Sequence, residues 1–138
     1  MIFYHGTTLD AAKQIQREGL KKIPSRALQI QNLQDYPFVY LLPQLDKAEM
    51  YARFRAIYDR APYGTDMSGI PPAGYNPFVG QWTKTSTTRN PKAKPAVVTI
   101  DLPTSFRARL RRDPDSGLGL VCQCTIPPQY VRGIREVR

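Results

Sequence analysis

Ile2-Phe3-Tyr4-His5-Gly6-Thr7-Thr8-Leu9-Asp10 is the stretch from which the fold of this chain is read. Ile2 to His5 is a short apolar and aromatic run and predicts an opening strand. Thr7 or Thr8 can cap a following helix, and Asp10 falls where a negative charge suits the positive end of that helix. Leu9, Ala12 and Ile15 recur at helical spacing. Gly19 can take the left-handed conformation that ends a helix, with Leu20 folding back onto it. A strand therefore runs through His5-Gly6 directly into a capped helix. A histidine at a strand end can aim its ring at a ligand. A glycine has no Cβ to hold a ligand away from the backbone, and its N–H and C=O can pair with a primary amide. The plainer alternative is that Gly6 serves only the turn and His5 is a satisfied polar residue; the tetrapeptide alone favours it.

Outward from this stretch, Pro24 to Asp35 is polar and reads as a loop. Phe38 to Leu42 is a dense apolar run, hence a buried strand, stopped by Pro43. Asp46 to Arg60 reads as a second helix with Leu45, Ala48, Tyr51, Ala52 and Ile57 near one stripe. The region from about 61 to 95 is rich in proline, glycine and aromatics (Tyr63, Tyr75, Phe78, Trp82) and reads as a long functional loop. Strands are expected at Val97–Leu102, Gly119–Ile126 and Val131–Val137. Helices in the first half and strands in the second predict an α+β fold, with small twisted antiparallel sheets flanked by two short helices in the N-terminal half.

The 138 residues suit one domain, 1–138, and a monomer is expected. No apolar run has the length of a membrane span, and the N-terminus lacks a basic-then-apolar signal pattern, so a cytoplasmic chain is expected with no membrane partner. With one histidine, His5, and two cysteines, no metal site is expected. Cys122 and Cys124 lie two apart in an expected strand, where their side chains run parallel; they read as free thiols.

A second constellation is Val39-Tyr40-Leu41 followed by Ala48-Glu49-Met50-Tyr51-Ala52. Tyr40 sits in a strand and Tyr51 in the next helix, and two such rings can sandwich a flat heteroaromatic. Offset stacking contributes about 0.5–1.5 kcal/mol beyond burial. The alternative is a pair of core tyrosines with surface hydroxyls.

Taken together, Tyr4-His5-Gly6-Thr7, Gly19-Leu20, Tyr40, Tyr51 and the tail Ile126-Pro127-Pro128-Gln129-Tyr130-Val131 resemble the ADP-ribosyltransferase superfamily of the diphtheria-toxin and poly(ADP-ribose) polymerase type, in order and in spacing. The resemblance spans residue 2 to about 134 and leaves 61 to 95 unmatched. It implies an NAD co-substrate and transfer of single ADP-ribose units to a macromolecular acceptor, with nicotinamide release. By the same resemblance His5 would bond an NAD ribose hydroxyl, and Gly6 would hold the nicotinamide carboxamide, with Thr7 beside it in the motif. Tyr40 and Tyr51 would flank the nicotinamide ring, and Arg26 would approach the phosphates.

The family places a glutamate near the start of the strand before Ile-Pro-Pro, where it supports the cationic sugar of the transition state. Here that stretch reads Gly117-Leu118-Gly119-Leu120-Val121, with no carboxylate; Asp113 and Asp115 lie upstream, and Gln123 is the nearest polar strand residue. Three readings follow. Asp115 reaches in from its loop as a catalytic group; or the chain is of the class with an apolar third residue, in which the acceptor supplies its own base; or it is a silent NAD or ADP-ribose binding module. A branch that removes 2′-phosphates from spliced RNA also tolerates the missing glutamate, but usually has His-x-His where this chain has Val39-Tyr40-Leu41.

The net charge is +9, from 20 basic and 11 acidic residues. Arg107, Arg109 and Arg111 alternate and would share one face of an extended segment. Such a face favours phosphates and suits a nucleic-acid acceptor; a macromolecular acceptor, protein or nucleic acid, is expected, the sequence alone does not choose among protein, DNA, RNA and a small molecule, and a basic nucleic-acid-binding domain without a nucleotide site is a further alternative.

Overall fold

Six strands and two α-helices follow one another in a computed structural model that describes residues 1–21, 39–60, 90–112, 119–122 and 124–138. Strand β1 (Ile2–Thr8) leads straight into α1 (Leu9–Glu18). Thr8, not Thr7, is the cap: its hydroxyl accepts from the Ala11 N–H at 3.4 Å. Gly19 ends α1 at φ 86° and ψ 172°: the positive φ is as expected, but ψ is extended and not that of a left-handed helical cap. Leu20 does not simply fold back. It exchanges two backbone hydrogen bonds of 2.9 Å with Ile126, and a Cβ on Gly19 would run into the Ile126 carbonyl and come within 3.1 Å of Pro128. The Gly-Leu and Ile-Pro-Pro segments, more than a hundred residues apart, therefore meet in one contact.

The remaining elements are β2 (Val39–Leu41), α2 (Leu45–Arg60), β3 (Pro95–Asp101), β4 (Leu110–Arg112), β5 (Leu120–Cys122) and β6 (Val131–Glu136). They form two antiparallel three-stranded sheets, ordered β1-β3-β6 and β2-β5-β4. The architecture is α+β with small antiparallel sheets, as expected. A pair of backbone hydrogen bonds of 2.8 Å between Tyr4 and Leu42 joins the sheets at one point.

Cross-strand partners share a face, so burial reads off the layers. Phe3 opposite Ile100, together with Val98 and Ala96, packs against Ala12 and Ile15 of α1 and against Val39, Leu41 and Cys122 of the second sheet. On the other face Val97 and Val137 meet Ala48 and Ala52 of α2, with Tyr4, Leu42 and Leu45 around them. Ala48, Ala52 and Ala56 are fully buried one turn apart, and these small residues let α2 lie close on β1 and β3. Tyr51 and Ile57, expected in the buried stripe, sit at its half-buried margins.

Two expectations from the sequence are corrected. Cys122 and Cys124 are not free thiols: their sulfurs are bonded, with the Cα atoms 5.2 Å apart. Strand β5 stops at Cys122, so Cys124 is not held in the parallel arrangement that a continuous strand would impose, and the Cα separation lies within disulfide range. Nor do Arg107, Arg109 and Arg111 line one extended face. Thr104–Arg109 is a 3-10 helix, and only Arg111 and Arg112 lie on a strand. Among the described residues no helix is long and apolar enough to cross a membrane.

Candidate functional site

Tyr4 sends both its N–H and its C=O to Leu42 and so away from β3. In an antiparallel ladder these directions alternate residue by residue. Phe3, His5 and Thr7 therefore pair with β3, whereas the N–H and C=O of Gly6 point, like those of Tyr4, toward the opposite edge. Tyr4 is capped there by Leu42. Gly6, two residues further on, has no backbone partner on that edge among the described residues. An adjacent donor and acceptor thus point to the edge of β1 on which Leu42 pairs with Tyr4, which is the pairing pattern a primary amide requires.

The Cα side of Gly6 is another matter. A Cβ there would collide with the Ala48 carbonyl oxygen and lie 2.9 Å from the Ala52 nitrogen. The space that glycine leaves is filled by the backbone of α2, not held open for a ligand. Glycine is required at this position by helix packing, and a ligand would meet Gly6 only through its edge groups.

His5 projects from the opposite face of β1, the one turned toward the second sheet, and is half-buried. Its Nδ1 lies 2.9 Å from the Tyr40 carbonyl oxygen. A carbonyl only accepts, so Nδ1 carries the hydrogen and Nε2 of the neutral ring keeps a lone pair. Burial lowers the His5 pKa below its ordinary value; the hydrogen bond to Tyr40 opposes this, and the positive charge of Arg55 adds to the lowering. The neutral form, with an acceptor at Nε2, is thereby favoured.

Tyr40 lies on β2 between two buried residues, Val39 and Leu41, that face the core, so its ring is on the sheet's other face. Its phenolic oxygen is buried. Tyr51 and Arg55 are one helical turn apart on α2, beside the alanine stripe that seats on β1. Arg55 is bound to Asp59 at 3.5 Å and acts electrostatically on His5. The sequence reading missed Arg55, although its i,i+4 relation to Tyr51 puts it on the same helix face. Thr7 is buried, with its backbone in the β1–β3 ladder. Arg26, Asp113, Asp115 and Gln123 lie outside the described residues. His5, Gly6, Tyr40 and Arg55 are thus linked by direct bonding, strand adjacency or charge, and Tyr51 is carried on the helix that packs onto Gly6. Among the described residues no group of three His, Cys, Asp or Glu side chains is placed to hold a metal ion.

No protein-family model matches the chain, and no curated protein matches it.

Proposed function

We propose that this chain has an ADP-ribosyltransferase-like fold, binds NAD along the open edge of β1 and transfers its ADP-ribose to a macromolecular acceptor, releasing nicotinamide. The observation that carries this reading is the pair of edge groups on Gly6, next to a histidine whose Nε2 is an acceptor. The carboxamide of nicotinamide has one acceptor oxygen and an NH2 donor, and it complements the Gly6 N–H and C=O without any side chain. A ribose hydroxyl can donate to His5 Nε2. Tyr40 and Tyr51 supply the aromatic faces for the ring, and Arg55 supplies positive charge toward the diphosphate. The coarse architecture, two small antiparallel sheets joined at one bridge beside two helices, suits the resemblance seen in the sequence.

In the reaction the bond between the ribose C1 and the nicotinamide nitrogen breaks, and its electron pair leaves with nicotinamide. An acceptor nucleophile bonds to C1 and gives up its proton. Holding the carboxamide and the ribose hydroxyl fixes both ends of the breaking bond, so that orientation contributes even where no carboxylate stabilises the sugar cation.

The test is nicotinamide release from labelled NAD, with protein and nucleic-acid fractions of a cell lysate as acceptors. Wild-type protein is expected to release nicotinamide and label one fraction, and His5→Ala and Tyr40→Ala to lose both signals while staying folded. A large loss in Asp115→Ala would assign the missing carboxylate's role to that loop residue; no loss would leave it to the acceptor. NAD binding without release from any fraction would refute transfer in favour of a silent binding module.

A further inference from the structure

Four arginines and no lysine or acidic residue occupy Thr104 to Arg112. Arg107, Arg109, Arg111 and Arg112 are all exposed, along the 3-10 helix and the short strand β4 that follows it. Elsewhere several carboxylates hold arginines: Asp101 holds Arg132 at 2.7 Å, Glu49 holds Arg135 at 2.9 Å and Arg53 at 3.6 Å, and Asp59 holds Arg55. Among the described residues Arg107, Arg109 and Arg111 form no ion pair with a carboxylate. Three guanidinium groups with no carboxylate partner among the described residues therefore lie within five consecutive residues, 107 to 111.

This ridge of arginines is also placed to present its charge. Among the described residues β4 is the outer strand of its sheet, with no strand beyond it. The Arg109 guanidinium lies over the Phe106 ring at 5.3 Å, and Phe106 in turn meets Tyr130 edge-on at 5.5 Å. This arginine is already ordered and forfeits less freedom on binding an anion. Guanidinium groups also match phosphate oxygens bidentately, which a lysine ridge would not.

The register then connects the ridge to the candidate site. Arg111 is opposite Val121 on β5, and Val121 is opposite Tyr40 on β2. These three residues form one row on the same face of the sheet, so Arg111 and Tyr40 stand two strand spacings apart, roughly 10 Å. We infer that the ridge binds the phosphodiester backbone of a single-stranded nucleic acid and that the acceptor is a base of that strand, held near Tyr40. A base inside a duplex could not reach that face without leaving its stack. The assignment of the acceptor rests on the transfer reading above; the binding surface does not.

The test uses fluorescein-labelled mixed-sequence DNA and RNA strands of about 20 nucleotides and a labelled duplex, with anisotropy followed across a salt series. Wild-type protein should bind the single strands more tightly than the duplex and lose affinity as salt rises. The triple variant Arg107→Gln, Arg109→Gln, Arg111→Gln should flatten the slope of log affinity against log salt by about 2, for three lost phosphate contacts on a single strand. Its NAD binding and its melting temperature should stay those of the wild type. The matching triple Arg→Lys variant should keep the salt slope and lose part of the affinity. Equal slopes for wild type and the Gln triple, or equal competition by oligoglutamate, would overturn the inference. Single-strand binding with the expected slope but no NAD binding would sustain the surface and sink the transfer reading; ADP-ribose transfer to protein with nicotinamide release, without oligonucleotide binding, would do the reverse.

Discussion

Replacing Gly6 by alanine places a methyl group against the backbone of α2. The atoms it meets are the Ala48 carbonyl oxygen, in outright collision, and the Ala52 nitrogen at 2.9 Å. Neither is the end of a flexible side chain, so the whole helix must withdraw by roughly 1 Å to restore van der Waals separation. Ala48 and Ala52 are fully buried against Val97 and Val137, so that withdrawal opens the packing between α2 and the sheet. Overpacking of this kind costs about 1–3 kcal/mol, and a rigid backbone contact puts Gly6→Ala at or beyond the upper end. With an unfolding entropy of about 2.1 cal/mol/K per residue, 3 kcal/mol corresponds to a melting point lower by about 10 °C for a chain of this length. Gly133→Ala is the matched control, because nothing lies within 4 Å of its Cβ position. It should shift the melting point by no more than about 2 °C, as surface changes do. Differential scanning calorimetry of the two variants reads both numbers. If Gly6→Ala melts within 2 °C or so of the wild type, the close approach of α2 to β1 is wrong, and with it the account of why glycine is needed there.

Other expectations follow from the same geometry. Gly19→Ala should destabilise by more than the roughly 1–3 kcal/mol of backbone strain alone, because its Cβ also meets the Ile126 carbonyl and Pro128; chemical denaturation of the variant measures the excess. The lowered pKa of His5 means that, below about pH 6.5, the unfolded chain binds a proton that the folded chain refuses. The stabilising effect of the neutral ring is therefore complete above that pH and is lost as pH falls through the folded value, with a slope of at most about 1.4 kcal/mol per pH unit. Denaturation curves of wild type and His5→Gln should accordingly run parallel above pH 7 or so and converge or cross below it.

The local features were legible in the sequence because local chemistry determines them. The Thr8 cap and the positive φ of Gly19 follow from the residues immediately around them. The strands around Val39, Val97, Leu120 and Val131 follow from apolar runs bounded by breakers, though β5 is far shorter than the run that predicts it. What the sequence hid depends on distant partners. The restriction on Gly6 comes from Ala48 and Ala52, some forty residues away, so its edge role and its packing role could not be separated in advance. The Cys122–Cys124 bond requires β5 to stop early, which no residue type announces. The alternation of Arg107, Arg109 and Arg111 suggested an extended face, but Phe106, buried against Tyr130, anchors a 3-10 helix there. Of the residues expected at the site, His5, Gly6 and Tyr40 are tied together by backbone geometry, which a linear motif can only suggest.

NAD binding at the His5–Gly6 edge can be followed at the imidazole nitrogens of His5. His5 is the only histidine, so a 15N-histidine-labelled sample gives imidazole signals that need no assignment. A neutral ring with its hydrogen on Nδ1 is expected at pH 7, as the bond to the Tyr40 carbonyl requires, together with a shift of the Nε2 resonance that saturates as NAD is added. A calorimetric titration run in parallel fixes the NAD occupancy. Saturating NAD with an unmoved Nε2 signal, or a ring carrying its hydrogen on Nε2, would contradict the placement of the ribose against His5.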